Sequence, residues 1–211
     1  MTDASTAVLT IDLAAIAENY RILASAARPA LCGAAVKADA YGLGAAEVAP
    51  ALQRAGCSHF FVATLDEGLA LRRILATATI YILNGLPMGA AETVAAANLI
   101  PVLATPEQVA EWGQYCRAVA PRPAALIIDT GMSRLGLSEP DMARLAADPA
   151  LIQGIPIVHA MSHLACSDDA AHPMNLQQAT RFKALVDRFP WPGAKRPSLG
   201  ISRRESVNLR L

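Results

Sequence analysis

The chain has no C-x-x-C pair: Cys32, Cys57, Cys116 and Cys166 stand far apart. That spacing argues against a zinc ribbon or a thioredoxin-like redox motif. It predicts four small buried hydrophobes in a reducing cytoplasm. Nor is there a surplus of one charge, with 18 Lys and Arg against 18 Asp and Glu, and no nucleic-acid partner is expected. Met1–Val8 carries neither a basic n-region nor an apolar h-region, which predicts a cytoplasmic protein. One uncharged stretch, Ile74–Ala91, is long enough to nominate a membrane helix. It holds Asn84-Gly85 and Pro87, however, which read as a strand followed by a turn, so no membrane partner is expected.

What is present is a globular composition, 54% hydrophobic and 17% charged over 211 residues, enough for one domain with a sizeable core. The chain repeats a short apolar run, a turn and an amphipathic helix. Val8–Ile11 reads as a short strand, with Asp12 placed to cap the next helix, whose face is Leu13, Ile16, Ala17, Tyr20 and Leu23. From Leu31 six β-α units follow. Their apolar runs are Leu31–Val36, His59–Ala63, Thr79–Leu83, Ile100–Leu103, Ala124–Ile128 and Ile155–His159. The matching helices lie near Ala45–Arg54, from Asp66, near Ala90–Ala97, from Pro106, over Pro140–Ala147 and over Pro173–Phe189. The last has a face of Leu176, Ala179, Phe182, Leu185, Val186 and Phe189. This alternation predicts an α/β fold with a parallel sheet covered on both faces, either an open doubly wound sheet or a (β/α)8 barrel. The periodicity stops after Gly193. Residues 1–194 carry 13 Lys and Arg against 17 Asp and Glu, whereas residues 195–211 carry five against one. The segment 195–211 therefore reads as a separate tail, either disordered or the product of a frameshift.

Three segments carry chemistry. In Ala34-Ala35-Val36-Lys37-Ala38-Asp39-Ala40-Tyr41-Gly42-Leu43-Gly44 a lone lysine closes an apolar strand and leads into a glycine-bearing turn. A lysine there points to the mouth of a β/α fold, where desolvation favours the neutral, nucleophilic amine that a Schiff-base lysine needs. On spacing alone the same side chain could instead snorkel to solvent. Gly42-x-Gly44 lacks the third glycine of a dinucleotide fingerprint and no P-loop follows, which excludes those nucleotide sites. In Asp129-Thr130-Gly131-Met132-Ser133-Arg134-Leu135-Gly136 an arginine sits on a Gly-flanked loop beyond a strand, a setting for carboxylate recognition or for an ordinary surface turn. In Met161-Ser162-His163-Leu164-Ala165-Cys166-Ser167-Asp168 a histidine is expected just beyond the sixth strand, as a site group or as a core residue bonded to backbone. His59, His159 and His172 read as structural or exposed, and Asp168 and Asp169 as a solvated loop face. No metal site is expected.

V-K-A-D-A-Y-G-L-G resembles the cofactor-lysine motif of the alanine racemases, fold-type III enzymes dependent on pyridoxal 5'-phosphate (PLP). D-T-G-M-S-R-L-G and S-H-L-A-C-S-D are similar to two further segments of that family. The likeness runs from about Leu9 to Phe189 and selects the barrel over the open sheet. It implies that Lys37 binds PLP covalently and is one of two racemisation bases. It implies that Tyr41 bonds the cofactor phosphate, that Leu83 lines the pocket and that His163 packs against the pyridine ring. Arg134 would contact the substrate carboxylate and the phenolic oxygen of PLP, with Met132 beside the substrate. Many members carry a carbamylated lysine seven residues before that arginine, where this chain has Ile127.

The resemblance also implies what lies beyond this stretch. The family has a complete (β/α)8 barrel, then a second, mostly β domain, and works as a homodimer on a small amino-acid substrate. Against that pattern the chain reads as a C-terminally truncated barrel of about six β-α units, with the β domain missing. The family's arginine at the pyridine nitrogen has no counterpart, nor has the tyrosine that the partner subunit supplies as second base. Ser198-Leu199 falls where the family often has Ser-Leu-Ala-Asn-Ser. Two other readings stay open: a single-barrel PLP-binding protein of the homeostasis type, and an inactive fragment.

Overall fold

The computed structural model describes residues 7–192 and 198–202. Seven parallel strands form one sheet: β1 (Ala34–Ala35), β2 (His59–Val62), β3 (Thr79–Ile82), β4 (Ile100–Leu103), β5 (Ala124–Ile127), β6 (Ile157–His163) and β7 (Ser198–Ser202). Their order in the sheet is their order in the chain. A doubly wound sheet reverses its strand order at a switch point, and here there is none. The sheet is a curled half-barrel, as a (β/α)8 barrel requires.

Side chains alternate between the two faces of the curled sheet. Phe60 and Val62, Ile80 and Ile82, and Leu126 and Ile128 face the helices in the larger core. Their neighbours Phe61, Tyr81, Leu83, Val102, Ala125 and Ile127 gather in a second apolar cluster on the inner face. A sheet buried on both sides reads as continuous apolar runs, which these strands are. The register of β5 on β6 slips once: Ala124 pairs with Ile157 and Ala125 with His159. The extra residue, Val158, is a bulge that rotates the rest of the strand, so His159 and Met161 face inward and His163 continues that line to the mouth.

The helices are α1 (Leu13–Ala26), α2 (Lys37–Gly42, a single turn), α3 (Ala45–Arg54), α4 (Leu65–Ile74), α5 (Ala91–Ala96), α6 (Pro106–Ala118), α7 (Glu139–Ala147) and α8 (Pro173–Arg188). Their starts are encoded locally. Asp12 accepts from the amides of Ala14 and Ala15. Thr64 with Glu67, and Ser138 with Asp141, form capping boxes, while Thr105 precedes Pro106 at the first turn of α6. Each satisfies amides that the helix itself leaves open. Because every helix after α1 follows a strand, α3 by way of α2, the starts of those later helices lie toward the rim where the strands end.

Four expectations are corrected. Val8–Ile11 forms no strand; Val8 and Leu9 are exposed and pair with nothing in the sheet. The run Leu31–Val36 narrows to the two residues of β1: Leu31 is exposed, and Gly33, whose missing Cβ leaves room for the Phe61 ring, stays outside the strand. β6 runs through His163, so Met161-Ser162-His163 is strand and not a loop beyond it. On α8 the buried line is Gln178, Phe182 and Val186, and Leu176 is 74% exposed; apolar counting passes over a buried amide. The strand Ser198–Ser202 also lies inside the segment that composition sets apart. A parallel ladder uses backbone groups, which composition does not register. The remainder of that expected tail, residues 195–197 and 203–211, lies outside the described residues. Among the described residues no helix is long and apolar enough to cross a membrane.

Candidate active site

Val36 is buried and extends the ladder by donating to Phe61 O at 2.9 Å. The chain then turns the wrong way. Ala38, Asp39, Ala40 and Tyr41 all have φ between 50° and 59° and ψ between 36° and 51°, so α2 is wound left-handed. Left-handed helix costs L-residues roughly 1–2 kcal/mol each, so four in a row cost on the order of 4–8 kcal/mol. Strain of this size persists only where the surroundings over-determine it, and it concentrates at functional sites. The bonds that hold it are Ala40 N to Val36 O (3.0 Å), Gly44 N to Asp39 O (2.9 Å) and Ala45 N to Asp39 Oδ1 (2.7 Å). Ala38 N donates to Glu67 Oε1 at 2.9 Å. Lys37, half-buried, stands at the head of this turn, its Nζ 5.9 Å from the centroid of the Tyr41 ring. Tyr41 itself is largely exposed.

The segment after β5 is built by close approach. Asp129 Oδ1 accepts from Gly131 N (2.9 Å) and Ser133 N (3.0 Å). The loop then folds back, with Leu137 N donating to Ile127 O and Asp129 N to Leu137 O. Gly136 permits this: its φ is +128°, and a Cβ there would sit 2.8 Å from Asp129 N. Arg134 is presented, exposed, at the tip of that loop, with Met132 half-buried beside it. Ile127, seven residues before Arg134, is buried in the inner apolar cluster.

His163 ends β6. Burial pushes its imidazole below the usual histidine value, and the positive charges of Arg134 and Lys37 push it the same way. Those two charges act on His163 because the ends of β1 and β6 and the loop after β5 meet at one mouth. Leu83, one residue past β3, donates its amide to Val62 O and packs on the inner cluster. Thus Lys37, Arg134 and His163 share an electrostatic site, Tyr41 flanks Lys37, and Leu83 lines the interior below.

Other polar residues were not legible as site residues. Gln178, 1% exposed, accepts from Ala165 N (2.8 Å) and donates to His163 O (3.0 Å) and Thr130 Oγ1 (3.2 Å). Thr130 Oγ1 also bonds Ser162 Oγ at 2.7 Å. One buried amide thus ties the Arg134 loop, the end of β6 and α8 together. Glu67 was readable only through its spacing from Thr64, a capping-box signature. His172 caps α8 by accepting from Met174 N. His59 and His159 pack around Tyr81 on the inner face, and His159 Nδ1 bonds Ser198 Oγ of β7 at 2.6 Å. Among the described residues no three His, Cys, Asp or Glu side chains gather as a metal site needs.

A curled, sequentially ordered parallel sheet with a lysine, an arginine and a histidine at its C-terminal rim defines a β/α-barrel protein, a fold in which that rim is where sites are built. The chain belongs to the alanine racemase N-terminal domain family, whose pattern it matches over residues 11–202. It is 48% identical over 191 residues to an alanine racemase of Rhodospirillum rubrum, covering 89% of this chain and 51% of that one. It is 47% identical over 189 residues to a catabolic alanine racemase of Mesorhizobium japonicum, covering 89% of this chain and 50% of that one. Among solved structures it superposes on the Bartonella henselae alanine racemase with covalently bound pyridoxal phosphate. The TM-score there is 0.84 at 39% identity, over 91% of this chain and 53% of that one. The chain spans about half the length of the curated relatives it matches.

Proposed function

We propose that this chain is the barrel portion of a PLP-dependent alanine racemase, an isomerase interconverting L-alanine and D-alanine for peptidoglycan. The observation that carries this reading is the convergence of Lys37, Arg134 and His163 on one mouth, with Lys37 on a strained left-handed turn. The donor set suits PLP: an amine for covalent attachment, a neutral imidazole to lie against an aromatic ring, and a guanidinium for an anionic oxygen. Lys37 would hold PLP through Nζ, Tyr41 would bond its phosphate, and His163 would pack on its ring. Leu83 would line the pocket. When bound, PLP supplies the electron sink that lets an α-proton leave.

The chain's own groups do the rest. Arg134 would clamp the substrate carboxylate through two parallel hydrogen bonds, with Met132 beside it, which aims the Cα–H bond at Lys37. Lys37 Nζ would then take or return the proton on one face. His163, held neutral between burial and two cations, serves as a positioning group and adds no third positive charge. A homodimer, with a second base from the partner subunit for the other face, and a cytoplasmic location belong to the same reading.

The test is capture of PLP. The purified chain mixed with PLP should develop a Lys37-dependent absorbance band, and borohydride should fix a PLP-sized mass on the peptide containing Lys37. No fixed mass on that peptide, or an identical band in Lys37→Ala, would overturn the reading.

A further inference from the structure

We propose that Glu67, at the start of α4, is a positioning residue for Lys37, fixing the Lys37–Ala38 peptide plane at the head of the left-handed turn. The turn's remaining bonds run within residues 36–45, whereas Ala38 N donates across 29 positions to Glu67 Oε1 at 2.9 Å. The second carboxylate oxygen accepts from Ala63 N at 2.6 Å and from Thr64 N at 3.4 Å. One carboxylate therefore staples the end of β2 to the turn after β1.

The distances say which task dominates. In a capping box the glutamate reaches back to the N-cap amide. Here that bond, to Thr64 N, is the longest of the three, and the two short ones go to β2's exit and to the turn. The carboxylate is itself held from behind. Its backbone amide donates to Thr64 Oγ1, and its place in the first turn of α4 puts negative charge at the positive end of the helix dipole. Ala38, Ala40 and Tyr41 have no intrinsic preference for positive φ, so the turn depends on such outside constraints. Ala38 is where the left-handed run begins, and its amide belongs to the peptide bond that Lys37 contributes.

The inference rests on the proposed role of Lys37, but its first readout, amide exchange, needs no cofactor. Amide exchange is measured on the full chain and on Glu67→Ala and Glu67→Gln, following the segment 37–44 beside β4 and β5. A lost hydrogen bond to a carboxylate should speed exchange in 37–44 by about tenfold or more in Glu67→Ala, with β4 and β5 unchanged. Glu67→Gln, which keeps one acceptor oxygen for two sets of amides, should fall between. PLP capture on Lys37, read as the rate of borohydride fixation, should slow in the same order. Unchanged exchange in 37–44, equal acceleration everywhere, or faster exchange with undiminished capture would each overturn the proposal. If the unsubstituted chain takes up no PLP, the racemase reading fails, while the exchange comparison still decides the role of Glu67.

Discussion

The two sides of the mouth are held by opposite means. After β1, Lys37 heads a strained, partly exposed turn in which four residues sit at positive φ and are kept there by backbone bonds and the carboxylates of Asp39 and Glu67. Beyond β5 and β6, Arg134 and His163 rest on a buried network centred on Gln178, every polar group of which is used. Strain positions a group sharply but leaves it open to local release. A buried network resists release but loses much when one member goes, because its partners are left unsatisfied in a low dielectric. The Lys37 side should therefore fail locally and the Arg134 side globally.

The same substitution made on each side tests this most directly. Gly136→Ala forces a Cβ to within 2.8 Å of Asp129 N at a φ of +128°, and should cost about 3 kcal/mol or more in urea unfolding. Gly42→Ala meets nothing within 4 Å of its Cβ at a φ of +84°, so only backbone strain is added, about 1 kcal/mol. Equal losses would erase the distinction. Gln178→Leu comes next, since it keeps the volume but strands Ala165 N, His163 O and Thr130. A loss of about 2–4 kcal/mol is expected, with a lowered unfolding midpoint and an unchanged m-value. A loss under ~0.5 kcal/mol, the level of ordinary surface changes, would show the network to be ornamental.

The smallest effect is electrostatic and joins the two sides. His163 should titrate below the ordinary histidine value of ~6.5 when followed by the NMR signal of its ring. Arg134→Ala should raise that titration point, and Lys37→Ala should raise it less, following the order of their influence. The sign carries over to stability. As pH falls through ~6.5 the unfolded chain takes the proton first, so stability declines until the lower folded value is passed. A His163 titration indifferent to both substitutions would separate the charges that the geometry brings together.

The difference between the sides also decides what sequence could show. Helix starts at Asp12 and Pro106 and the strands Thr79–Ile82, Ile100–Leu103 and Ala124–Ile127 are written in local chemistry, and so are the rim positions of Lys37 and Arg134. The handedness of the Lys37 turn is not. In Ala38-Asp39-Ala40-Tyr41 only Asp39 tolerates positive φ, as Gly42 and Gly44 do beyond it, and single residues of that kind do not ask for four in a row. Gln178 escaped because periodicity counts apolar residues, and it occupies an apolar face as a satisfied amide. The end of β6 escaped because Val158 adds a residue that breaks simple alternation. The missed features were tertiary in each case: a bond from another β/α unit, a buried polar partner, a shifted ladder.

The sequential strand order has a last consequence. Lys37 leaves the first strand of the sheet and His163 ends the sixth, so five inter-strand steps separate them along the sheet. At about 4.8 Å per step that path is roughly 24 Å, beyond the Debye length of ~8 Å at physiological salt. They influence one another only across the chord of the arc. The site is thus a reading of curvature: flatten the sheet and the residues keep their local structure but lose each other. Bond by bond the mouth is local, yet as a unit it joins Lys37 to His163 across most of the chain, the kind of non-local contact that slows folding.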